Sequence, residues 1–109
     1  MHRLDLEQFR TTLETGGIVS VSLVAQGGSF HIQAETRGGR AVLTKMRSSA
    51  LREFRNVMPA LAMLRDLGIR EVRVDTRNWQ PEQADLDRPV RAERKEEAKP
   101  LPAATPMQN

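Results

Sequence analysis

The residues of this chain best equipped for chemistry are basic. Arg37, Arg40, Lys45, Arg47, Arg52 and Arg55 occupy one short stretch, with Ser48 and Ser49 among them. Guanidinium, ammonium and hydroxyl groups are common donors to phosphate oxygens. Cations gathered on one surface also displace the counterions of a duplex, which favours binding. The stretch therefore predicts a nucleic-acid-binding region carried by those six residues. A plainer reading is a solvated charged face, because Glu53 stands beside Arg52 and Glu35 precedes Arg37. Aromatic residues are scarce. Phe9, Phe30 and Phe54 suit a core, which leaves Trp79, so single-strand binding by base stacking is disfavoured. Trp79 is expected either to cap the edge of the core or to dock a partner, since tryptophan is enriched at binding hot spots.

Other chemistries lack their residues. The chain has no cysteine, so disulfides, thiolate metal sites and cysteine nucleophiles are out of reach. Of its two histidines, His2 lies in a terminus expected to fray. His31 is expected to stand exposed on the outer face of a strand, with Glu35 four residues on. A zinc site needs three or four converging ligands, so no metal is expected. GGRAVLTK holds glycine and lysine without the spacing of a nucleotide-binding loop. Neither a Ser-His-Asp set nor a paired-carboxylate pattern is visible. The expectation is a protein without catalytic residues or cofactor.

The elements that must position the basic stretch follow from periodicity. Residues 4–15 place Leu6, Phe9 and Leu13 on one helical stripe. Asp5 and Gln8 form a capping-box pattern at its start, and Gly16-Gly17 stop it. Residues 18–26 alternate, with Val19, Val21, Leu23 and Ala25 on one side. Residues 29–37 alternate again, with Phe30, Ile32 and Ala34 inward, and residues 40–46 supply a third strand. Gly27-Gly28 and Gly38-Gly39 read as the two hairpin turns. Residues 47–56 fit either a loop or the opening of a helix. Pro59 favours a helix starting near Val57, where a proline in the first turn is tolerated, with Asn56 as cap. Its buried stripe is Leu61, Leu64 and Leu67 with Val57 or Met58. Residues 69–76 form a fourth strand, with Val72 and Val74 inward. The fold class is α+β, in the order α-β-β-β-α-β: an antiparallel three-stranded meander plus a fourth strand, with the helices on one face.

A chain of 109 residues has room for one domain. The compact part is expected over residues 1–79, and residues 80–109 form a polar tail holding five of the six prolines, disordered or partly helical. Residues 1–79 hold twelve Lys/Arg and eight Asp/Glu, net +4. The tail holds five and six, net −1, so the basic excess belongs to the folded part. With no apolar run of membrane-spanning length and an acid-containing start unlike a signal peptide, the expected location is the cytoplasm, away from any membrane.

Three phrases resemble a known family: QGGSFHIQAETRGG, AVLTKMRS, and REFRNVMPALAMLRDLGIREVRVDTRNWQPEQ. They are similar to the ParC-like family of small plasmid partition-associated proteins, found beside partition genes on bacterial plasmids and integrative elements. WQPEQ is the most distinctive piece. The resemblance spans about residues 4–83 and transfers no site residues. It implies a non-enzymatic accessory of plasmid or mobile-element maintenance that acts on double-stranded DNA or on partition proteins. The competing expectation is a protein-interaction or homodimerisation module without nucleic-acid contact.

Overall fold

The computed structural model describes residues 1–83. The expectations for the tail beyond Gln83 lie outside the described residues. Strand β1 (His2–Leu4) leads into helix α1 (Leu6–Glu14), followed by β2 (Ile18–Gln26), β3 (Ser29–Thr36), β4 (Gly39–Leu43), β5 (Glu53–Phe54), helix α2 (Val57–Asp66) and β6 (Arg73–Asp75). The fold is α+β, as the pattern predicts, with two short strands added. β1 pairs parallel with β4, and β5 pairs antiparallel with β3. Three- and two-residue strands are too short to show a period, and both partners are distant in sequence.

The sheet runs β1-β4-β3-β2-β6, with β5 also beside β3. The meander is antiparallel, whereas β6 joins β2 in parallel. The first hairpin has the predicted turn: Gln26 pairs with Ser29 and Gly27 takes φ +63°. A Cβ at Gly27 would stand 2.6 Å from Gln83 Oε1, the movable end of a side chain, so the demand for glycine here is the positive φ of the backbone. The second turn is shifted by one residue. Thr36 pairs with Gly39, leaving Arg37-Gly38 as the turn, because Gly39 rather than a turn residue takes the positive φ of +122°.

The helix ends follow the residues. Gln8 N–H donates to Asp5 Oδ1 at 2.9 Å and Asp5 N–H donates to Gln8 Oε1 at 3.0 Å, a closed capping box on α1. Thr12 Oγ1 donates to Gln8 O and Thr15 Oγ1 to Thr11 O, local bonds that compete with helix and make α1 depend on packing. Asn56 Oδ1 accepts from Met58 N at 2.9 Å and caps α2. Pro59 then falls in the first turn, where its missing N–H leaves no ladder bond unmade.

Phe9 of α1 and Ala60 and Leu64 of α2 close one core with the inward faces of β2, β3 and β4, whose centre is Leu23 and Ile32. Two expectations about this core are corrected, and one open choice is decided. Val19 is 68 % exposed. A bulge between Ile18 and Ser20 reverses the alternation there, and Ile18 packs on the core instead. Val74 is 49 % exposed, because among the described residues β6 is an edge strand with β2 as its one neighbour. On α2, Val57 joins the core and Met58 turns to solvent.

Candidate functional site

The segment from β4 to α2 carries most of the predicted basic residues, and its backbone has an identifiable frame. Thr44 and Leu51 form an isolated antiparallel bridge. Lys45 N–H donates to Ala50 O at 3.0 Å and Arg52 N–H to Leu43 O at 3.1 Å. Arg3 Nη1 donates to Ser49 O at 2.7 Å, tying the loop to β1. Residues 45–50 are thereby held as an exposed tip. Lys45 and Arg47 stand on it with Ser48 and Ser49, and neither base enters an ion pair among the described residues. Arg47 adopts φ 58°, a left-handed conformation uncommon for a residue with a Cβ.

The other four candidates are placed differently. Arg52 lays its guanidinium over the Phe54 ring, 5.5 Å from the centroid, and that ring packs against the helix-side core. Arg55 is exposed just before the Asn56 cap. Arg37 sits in the second hairpin turn, where Nε donates to Gly16 O at 2.9 Å. Arg40 lies on the opposite sheet face, with its Nε 2.8 Å from Glu35 Oε2. The structure brings Lys45 and Arg47 together, follows them along the chain with Arg52 and Arg55, and separates Arg37 and Arg40 from them.

The sheet face away from the helices is a second polar surface. Ser20 and Ser22 of β2, Gln33 and Glu35 of β3, Arg40 of β4, and Arg73, Asp75 and Arg77 line one open depression. Asp75 accepts from Arg77 Nε at 3.1 Å, from Arg77 Nη2 at 2.7 Å and from Arg77 N at 3.1 Å. The Arg77 hydrogen bonds lower the Asp75 carboxyl to about 2. The β6 residues are not among the predicted site residues. Their alternation is visible in the sequence, but nothing local shows that β6 lands beside β2.

His31 is a correction. It is buried, at 7 % exposure, together with Val42 at 5 %. Met1, Arg3 and Leu51 border the same pocket, and β5 sets Glu53 opposite His31. These chain segments cover one end of a face that the meander alone would leave open. The Gln33 side-chain amide nitrogen lies 3.0 Å from His31 Nε2. Burial lowers the His31 pKa below its ordinary 6.5, and the Glu53 charge opposes that shift. The unfolded chain therefore takes up a proton at a higher pH than the folded one. Stability should be full above 6.5 and decline as the pH falls through that value. Melting curves between about pH 8 and about pH 5 should show the decline, and His31→Gln should flatten it near 6.5. An unchanged slope in the variant would assign the pH dependence to other groups.

His2 does not fray: it is part of β1, and its Nε2 lies 2.9 Å from Gly38 O. Trp79 is 45 % exposed, with its ring 5.8 Å from the Phe30 centroid. Around it the backbone closes on the first hairpin, with Gly27 N–H donating to Asn78 O and Gln80 N–H to Gly27 O. One side of the indole thus packs on the domain and the other faces solvent.

No metal-ligating group of three or more His, Asp or Glu occurs among the described residues. No helix there is long and apolar enough to cross a membrane. Fold and surface define a small α+β domain with helices on one face of a mixed sheet, a polar opposite face and a basic loop at its side. Comparisons with protein-family models, with curated proteins and with solved structures returned no match.

Proposed function

We propose that this domain is a non-enzymatic accessory of plasmid or mobile-element maintenance. It binds double-stranded DNA, or partition proteins, through the basic segment that joins β4 to α2, and it works in the cytoplasm, where plasmid DNA resides. The observation that supports this most is the 45–50 tip, which holds Lys45 and Arg47 beside two serines with no ion pair among the described residues. Arg52 and Arg55 extend the positive charge toward α2, and Glu53 is the one acid between Arg37 and Arg55. Contacts of this kind fix a protein on the phosphate backbone without reading bases. The plasmid context rests on the resemblance of the three sequence phrases.

The test is a titration of the full chain against duplex DNA at several salt concentrations. If Lys45, Arg47, Arg52 and Arg55 each meet one phosphate, the logarithmic salt slope is about −3.6. A rise from about 50 to about 200 mM salt then weakens binding about 150-fold. No binding at about 50 mM salt, where phosphate contacts are strong, would overturn the DNA reading.

Trp79 supports the second reading, a protein-interaction module without nucleic-acid contact. A half-exposed indole braced on Phe30 is a suitable anchor for a partner protein.

A further inference from the structure

The free edge of β6 carries an inference that stands whether or not DNA is bound. Among the described residues β6 is the last strand of the sheet, hydrogen-bonded on the β2 side. The other side of an edge strand presents unpaired backbone N–H and C=O groups, a template for a further strand. We propose that the further strand is the β6 of a second copy of this chain, paired antiparallel about a two-fold axis at Val74.

Charge selects this occupant. A two-fold contact sets residue i against j and j against i. With the axis at Val74, Arg73 faces the partner's Asp75, and Asp75 faces the partner's Arg73. Opposite charges directly across an antiparallel pair are stabilising, and like charges are destabilising. Arg73 has no ion pair among the described residues, whereas Asp75 pairs with Arg77 of its own chain, so the second copy supplies a counter-charge to Arg73 and a second cation to Asp75. On the helix side, Val74, 49 % exposed, meets the partner's Val74. Leu61, Ile69 and Val72 line an open groove, with Arg65 and Arg70 at it, beside the segment that leads into β6, and its apolar residues extend the contact. The opposite end of the sheet fails the same test. Self-pairing of β1 about its central residue would set Arg3 against the partner's Arg3, two like charges face to face.

Light scattering and sedimentation of the full chain over a concentration series test this, with circular dichroism to verify folding. The unmodified chain should dimerise. Arg73→Asp alone, or Asp75→Arg alone, turns both cross-strand pairs repulsive and should weaken the dimer at least about tenfold. The double exchange, Arg73→Asp with Asp75→Arg, restores opposite charges and should dimerise again, yet form no mixed dimer with the unmodified chain. Should a charge variant fail to fold, Val74→Cys provides a separate test in a chain without cysteine. Oxidation should cross-link it as a dimer, while Val19→Cys, at a site 68 % exposed, should form no covalent dimer under the same conditions. A strict monomer at high concentration, a dimer indifferent to the single reversals, or equal cross-linking at both cysteines would overturn the proposal.

Discussion

Alanine at both Lys45 and Arg47 is expected to weaken duplex binding by about a hundredfold at about 50 mM salt, and to flatten the logarithmic salt slope by about two. The size follows from counterion release. Every cation withdrawn from a phosphate takes away close to one unit of slope and roughly tenfold in affinity at that salt. Both side chains are exposed on the 45–50 tip and have no ion pair among the described residues, so the melting temperature should hardly move. Arg52 makes a useful contrast. Its guanidinium covers the Phe54 ring, so alanine there removes packing together with charge. Its effect on DNA binding would be hard to separate from an effect on folding. An unchanged salt slope in the Lys45/Arg47 variant, with the unmodified chain binding DNA, would move the interface elsewhere. The three cations of the open sheet face, Arg40, Arg73 and Arg77, would be next to test.

Leu64→Ala is expected to cost about 3 kcal/mol of folding stability, within the range observed for truncating a fully buried leucine. Leu64 is 1 % exposed and belongs to the core that α2 shares with the sheet. A domain of this size gains about 4–8 °C of melting temperature per kcal/mol, so the midpoint should fall by about 12–24 °C. DNA binding measured well below the new midpoint should survive, because the charged residues are untouched. Binding abolished while the domain is still folded would mean that α2 positions the basic segment more tightly than its capped start at Asn56 suggests. A midpoint shift below about 5 °C would mean that α2 is not seated on the sheet as described.

Much of this molecule is legible in local sequence. Asp5 and Gln8 announce the start of α1, and Asn56 with Pro59 announces that of α2, because capping satisfies backbone groups within a few residues. Phe30, Ile32 and Ala34 alternate with polar residues and are the buried face of β3. The positive φ at Gly27 follows from a two-residue hairpin loop. The 47–56 stretch fits two readings on its residues alone. It is a loop and a two-residue strand because pairing with β3 and the Thr44–Leu51 bridge, both nonlocal, outweigh its weak helical pattern.

The candidate site divides the same way. Its inventory of charges, with basic residues gathered between Arg37 and Arg55 and no thiol, can be read directly from the amino acids. Their grouping cannot. Arg40 alternates onto the open face and pairs with Glu35, and Arg52 turns toward Phe54, while Lys45 and Arg47 project from a tip pinned by Arg3. His31 reads as an outward residue of β3, and it is buried because β1, the 44–52 loop and β5 fold across its end of the sheet. The helices, the meander and the sign of the charge are thus written into the order of the residues, since caps, turns and alternation act over a few positions. Which strands become edges, which bases stay unpaired and which polar side chain is covered are settled by long-range assembly. Those outcomes depend on β1 finding β4 and β6 finding β2, pairings between distant segments that no local pattern encodes.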